Sequence, residues 1–68
     1  MPSPRRQSLL YSMEEHAKGH IEKHKGIIND LLDAPMGASN TLEIIMSELE
    51  ELSYYEDQLA LISKYFKQ

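Results

Sequence analysis

The sequence predicts an all-α fold, an antiparallel helix–loop–helix hairpin that dimerises into a four-helix bundle. Two long segments carry apolar residues at helical spacing, and a short segment rich in turn-forming residues separates them. The apolar stripes are also wider than one helix pair can cover, because two helices offer each other only one narrow face. A second hairpin is therefore expected to cover the remainder.

The first predicted helix, helix 1, covers about residues 8–32. Ser12 and Glu15 have the spacing of a capping box near its start. A proline directly after Ser3 offers an earlier start. Residues 1–7 hold two of the three prolines and little apolar material, so they are expected to form a flexible lead-in.

The loop is predicted over residues 33–40, where proline, glycine, serine and asparagine are concentrated. Pro35 disfavours helical geometry in the residue before it, so helix 1 is expected to end there. Helix 2 is predicted over about residues 41–66. Asn40 is a strong N-cap residue, and Glu43 suits the positive end of the helix dipole.

A heptad-like row on each helix is predicted to form the seam of the hairpin. On helix 1 the row is Leu10, Met13, Ala17, His20, His24, Ile27 and Leu31. On helix 2 it is Leu42, Ile45, Leu49, Leu52, Glu56, Leu59, Ser63 and Phe66. Folding the chain at the loop then places His24 beside Leu49 and Ala17 beside Glu56.

The dimer is predicted to bury apolar residues that flank this seam. These residues are Leu10, Ile21, Ile28, Leu32, Met46, Tyr55 and Ile62. A chain of 68 residues without cysteine has a small core and no disulfides, which favours stabilisation by a second copy. The alternative is a monomeric hairpin with a partly exposed apolar face.

Three histidines form a ladder on helix 1. His16, His20 and His24 are each separated by four residues, and the seam register brings Glu56 near them. One interpretation is a set of partly buried, hydrogen-bonded histidines. The others are a metal site formed by His20, His24 and Glu56 and a pH-sensitive interface. A di-iron bundle is disfavoured, because the Glu-x-x-His spacing is missing.

Helix 2 carries an acidic surface with tyrosines on the side away from the seam. If a heterologous protein binds, it is expected to contact Tyr54, Leu61, Tyr65, Glu50, Glu51 and Asp57. The partner would then present a basic surface.

The bulk properties disfavour several classes of protein. The net charge of −4 and the pI near 5.2 argue against direct nucleic-acid binding, since phosphate neutralisation needs a basic face. No apolar run is long enough to span a membrane. A cytoplasmic protein without a cofactor is expected. Enzymatic activity is not expected, because no nucleophile is paired with the histidines.

Three segments of the chain carry a resemblance to known proteins. His20–His24, Leu31–Gly37 and Lys64–Phe66 resemble segments of small helical-hairpin proteins of unknown function encoded by tailed bacteriophages. The resemblance covers roughly residues 13–66. It implies a phage accessory protein that acts inside a bacterial cell or on a virion, and it brings no catalytic residues. A structural subunit of a larger assembly, such as a virion, is a separate alternative.

Overall fold

A computed structural model describes residues 3–34 and 40–67 of the chain. Two antiparallel helices pack as a hairpin about 54 Å long, and no strand occurs within the described ranges. Helix α1 covers Pro4–Asp33, helix α2 covers Thr41–Leu61, and a π-helical turn over Ile62–Phe66 continues α2. The predicted all-α hairpin is confirmed. No helix in the described ranges is both long enough and apolar enough to cross a membrane.

The N-terminus of α1 lies further upstream than predicted. Ser3 is the N-cap, and its hydroxyl accepts a hydrogen bond of 3.1 Å from the backbone N–H of Arg6. Pro4 occupies the first helical position, where its fixed backbone angle and missing N–H are well tolerated. The predicted starts at residue 8 and at Ser12 are therefore corrected in favour of the earlier start, and the flexible lead-in does not extend past Ser3.

The C-terminal turn of the hairpin explains why this early start is stable. The guanidinium of Arg6 donates a hydrogen bond of 2.9 Å to the backbone carbonyl of Phe66, at the end of the π-helical turn. The Lys67 ammonium lies 3.0 Å from a carboxylate oxygen of Glu14. The first turns of α1 thus satisfy a carbonyl that would otherwise lack an intrahelical partner.

The two helix ends nearest the loop follow the sequence rules in part. Ala34 is extended, with φ −64° and ψ 132°, as expected for a residue before proline. Asn40 lies at the N-cap of α2 as predicted, but its side chain makes no capping hydrogen bond. Its backbone carbonyl accepts from the N–H of Ile44 at 3.1 Å. Residues 35–39 of the predicted loop lie outside the described residues.

The seam of α1 largely follows the predicted row, whereas the seam of α2 is rotated. The side chains of α2 that face α1 are buried or half-buried: Ile45, Glu48, Leu52, Tyr55, Leu59 and Ile62. The predicted seam residues that are exposed instead are Met13, Leu42, Leu49, Glu56, Ser63 and Phe66. The row that packs against α1 has the same alternation of three- and four-residue spacings as the predicted row, so spacing alone does not distinguish the two rows.

The core of the hairpin is thin. Among the described residues, only Ala17, His24 and Ile62 are buried, and no large side chain is fully enclosed. Gly19 and Gly26 do not contribute a close helix contact, because a Cβ atom at either position would meet nothing within 4 Å. The hairpin itself therefore tolerates these glycines without requiring them.

Candidate functional site

The histidine ladder of α1 forms as its spacing predicts. The ring centroids of His16 and His20 lie 4.6 Å apart in an edge-to-face arrangement. His20 and His24 are 6.1 Å apart with nearly parallel rings. The four-residue spacing brings the three imidazoles to one side of the helix, where the second helix meets them.

Tyr55 of α2 completes this group of rings. Its ring stacks on His20 with centroids 4.2 Å apart and planes inclined by only 4°. The same ring lies 5.9 Å from His24 and 6.1 Å from His16. Stacked aromatic pairs contribute about 0.5–1.5 kcal/mol beyond their buried area, so this contact helps to hold the two helices in register.

A carboxylate lies beside His24, at the end of this group of rings that is nearest the loop. Nδ1 of His24 contacts Oε2 of Glu48, and His24 as a whole residue is only 8% exposed. This contact satisfies Nδ1 of a buried histidine, and no buried side-chain nitrogen or oxygen among the described residues lacks a partner. We call His16, His20, His24, Tyr55 and Glu48 the ring cluster.

The predicted carboxylate of this site was Glu56, and the structure corrects that prediction. Glu56 is exposed, because the rotation of α2 turns it away from the seam and brings Glu48 and Tyr55 in. No group of three or more histidine, aspartate or glutamate side chains in the described part of the chain is arranged to hold a metal ion. His20, His24 and Glu56 therefore do not form the hypothesised metal site.

The electrostatics of the cluster favour a neutral imidazole at its centre. Burial lowers the pKa of His20, and the neighbouring positive charges of His16, Lys23 and His24 lower it further. Glu51 acts in the opposite direction.

An open apolar groove lies on one face of the hairpin, near the chain termini. Its volume is about 530 Å³. The groove is lined by Leu9, Ser12, Met13, His16, Gln58, Leu61, Ile62 and Phe66. Leu9, Met13 and Leu61 are each about half exposed, so the groove is a surface feature of a single hairpin and not an enclosed pocket.

The opposite face carries exposed aliphatic residues near the loop. Leu42, Met46 and Leu49 lie on one side of α2 at positions i, i+4 and i+7, on the flank of the seam that faces away from the groove. Leu32 lies on the corresponding flank of α1, nearer the loop than the half-buried Ile21 and Ile28. We call these six residues the loop-half face. Leu42 is 71% exposed, Leu32 63% and Met46 53%.

The predicted dimer-core residues divide among three environments. Ile62 is buried by its own hairpin and Tyr55 stacks within the ring cluster, so both already have neighbours in the same chain. Leu10, Ile21 and Ile28 are half-buried. Leu32 and Met46 are exposed and belong to the loop-half face.

The predicted partner-binding residues lie on the outer side of α2. Tyr54, Leu61 and Tyr65 are each more than half exposed. The carboxylates of Glu50, Glu51 and Asp57 are exposed among them. Tyr54 is not isolated, because its ring packs edge-to-face against Tyr55 with centroids 5.1 Å apart.

Sequence reasoning missed Glu48, the main polar partner in the site. The signal that would have found it is the row Glu48, Leu52, Tyr55, Leu59 and Ile62, which has spacings of four and three residues like the chosen row. This row contains an aromatic residue and a β-branched residue where the chosen row has Glu56 and Ser63. A preference for the more apolar of two parallel rows would have selected it.

Comparison of the chain with family models, with curated proteins and with solved structures finds no match.

Proposed function

We propose that this chain is a small non-enzymatic protein-interaction module that pairs with a second copy of itself to form a four-helix bundle. The observation that carries the proposal is the imbalance between core and surface. In the described ranges, twelve large apolar side chains keep more than a third of their surface exposed, whereas the buried apolar residues are Ala17 and Ile62. Exposed apolar surface on this scale is typical of an interface.

The surface area of the chain supports the same proposal. Its accessible surface is 5439 Å². A compact monomeric protein of 7.9 kDa would expose about 4,400 Å². The excess is comparable to the surface of roughly 800 Å² that each partner buries in a standard interface.

The ring cluster supports a structural role for the histidines within this module. Each of the three imidazoles contacts another ring of the cluster, and His24 also contacts a carboxylate. These contacts join α1 to α2 at one register. A polar group at a helix seam is a known means of specifying register.

A heterologous partner, if the bundle has one, would bind the outer side of α2. The exposed tyrosines and Leu61 provide contact area, and the six acidic residues of α2 favour a partner with a basic surface. A role as a phage accessory protein in the host cytoplasm remains part of the proposal and rests on the sequence resemblance alone.

Sedimentation equilibrium across a wide concentration range tests the proposal. We expect a species of twice 7.9 kDa that dissociates on dilution, together with a thermal midpoint that rises with protein concentration. A monomer at every concentration, with full helicity and cooperative unfolding, would overturn it. Species larger than a dimer would instead support a structural subunit of a larger assembly.

A further inference from the structure

We infer that the second copy packs on the loop-half face with both loops at the same end of the bundle, so that α1 of each copy lies against α2 of the other. This inference rests on the proposed self-association and adds to it the surface and the orientation. Two symmetric ways of stacking the hairpins face to face exist. One places the loops at the same end, and the other places them at opposite ends.

The distribution of apolar surface favours the same-end arrangement. Along the hairpin, His24 lies level with Glu48 and Arg6 lies level with Phe66. A second copy in the same direction therefore places its Met46 close to the level of Ile28. On the face opposite the groove, the exposed aliphatic residues lie near the loop, so in this arrangement the two loop-half faces meet along their whole length.

The opposite-end arrangement covers less of this surface. If the twofold axis crosses the middle of the hairpin, the loop-half face of one copy meets the terminal half of the same face of the other copy, which is polar. If the twofold axis instead crosses the hairpin at the level of Met46, the two loop-half faces overlap. Lys25 of one copy then lies level with Lys25 of the other. The terminal halves of the two hairpins would then extend past each other without contact.

Charge complementarity also favours the same-end arrangement. α1 carries five basic and five acidic residues, whereas α2 carries six acidic residues and no basic residue. Same-end packing places each acidic helix against the neutral one, and opposite-end packing places the two acidic helices together. Like charges along an interface disfavour a packing mode.

One charged pair across the interface follows from this arrangement. Lys18 and Glu56 are both exposed on the same face as the loop-half residues, beyond its apolar part. They lie within two residues of the same level, about 3 Å along the helix axis. Lys18 of each copy would therefore lie near Glu56 of the other, which gives this carboxylate an oppositely charged neighbour.

Distance measurements between spin labels test the orientation. The chain has no cysteine, so a single nitroxide can be attached at Ser8→Cys or at Asp33→Cys, which are exposed sites outside the loop-half face. The two sites are about 37 Å apart along α1. Same-end packing predicts label-to-label distances of about 20–35 Å at both sites, across a bundle whose neighbouring helices are about 10 Å apart.

Opposite-end packing predicts a different pair of distances. Wherever the twofold axis crosses the hairpin, at least one of the two pairs of labels would be separated by about 40 Å or more. A dimer with such a distance overturns the orientation and leaves the proposed self-association intact. A monomer in the sedimentation experiment overturns the self-association itself, so the two failures are distinguishable.

Charge reversal provides an independent test with a matched control. Lys18→Glu is expected to weaken the dimer by about two- to tenfold, because the like-charged pair occurs twice in a symmetric dimer. Adding Glu56→Lys to the same chain should restore the affinity. Lys23→Glu makes the same change on the opposite flank of α1 and should have little effect. Equal weakening by both single reversals, without rescue, would overturn the inference.

Discussion

The two halves of the hairpin are stabilised in different ways. The terminal half is joined by contacts within the chain: the Arg6 guanidinium binds the carbonyl of Phe66, and Lys67 pairs with Glu14. The loop half has half-buried isoleucines at its seam, and its surface carries the three most accessible aliphatic side chains of the described residues, Leu42, Leu32 and Met46. The comparison indicates that contacts within the chain join the ends of the terminal half, whereas the loop half exposes the aliphatic surface that we propose a second copy covers.

A lysine in the loop-half face should have the largest effect. Met46→Lys is expected to weaken the dimer by about a hundredfold, because each of the two copies brings a charge into an apolar contact. The matched control is Leu61→Lys in the terminal half, since Leu61 and Met46 are 51% and 53% exposed. Sedimentation equilibrium measures both dissociation constants. Equal weakening by both variants would remove the distinction between the two halves.

Loss of the carboxylate at the boundary between the halves should have the next largest effect. Glu48→Leu leaves the buried His24 without its partner and should lower the free energy of unfolding by about 2 kcal/mol. The double variant with His24→Leu should recover part of this loss, since no polar group is then left unpaired. Chemical denaturation at one protein concentration measures both. A double variant less stable than the single one would contradict this account of the pair.

Replacement of the two glycines should stabilise the hairpin. Gly19→Ala and Gly26→Ala are each expected to raise the free energy of unfolding by about 1 kcal/mol, because alanine favours the helix and the added Cβ meets no atom within 4 Å. Thermal unfolding of the single variants measures the gain. Destabilisation at either site would show that a second chain approaches that glycine closely.

Removal of the Arg6 guanidinium should loosen the terminal half alone. Arg6→Ala is expected to cost about 0.5–1 kcal/mol, the usual contribution of one partly exposed hydrogen bond. Amide hydrogen exchange should become faster near Phe66 and in the first turns of α1, and stay unchanged near Ile28 and Ile45. Faster exchange in both halves would mean that they unfold as one unit.

The pH dependence that arises in the ring cluster should be the smallest effect. The pKa of His20 is lower in the folded protein than in the unfolded chain, so the unfolded chain binds this proton more readily. The contribution of His20 to the free energy of unfolding is therefore complete above the ordinary pKa of histidine. It declines as the pH falls toward the lower pKa that His20 has in the folded protein. His20→Phe keeps an aromatic face toward Tyr55 and should make this dependence shallower. An unchanged slope in this variant would assign the dependence to other groups.

Part of this structure was predictable from the sequence. The helices, the loop position and the histidine ladder follow from local rules on apolar spacing, proline and helical periodicity. The rotation of α2 was harder to predict, because two neighbouring rows share nearly the same spacing and differ only in how apolar they are. The choice between Glu48 and Glu56 depends on which row packs best against the histidines, and that is a property of both helices together.

The early start of α1 illustrates a second limit. Ser3 and Pro4 form a good local start signal, but so do Ser12 and Glu15. The turns between them are held by the Phe66 carbonyl, which lies 60 residues away in the chain. Local rules cannot rank two start signals when a distant contact stabilises the longer helix.

The unequal charge of the two helices has a consequence for how copies meet. A neutral helix beside a strongly acidic one gives each hairpin a transverse electric dipole, perpendicular to its long axis. Each copy also carries a net charge of −4, so two copies repel at long range and their encounter should become faster as salt screens this repulsion. At short range the two dipoles favour alignment in opposite directions. In the same-end bundle the two dipoles cancel, which leaves little field to recruit a third copy.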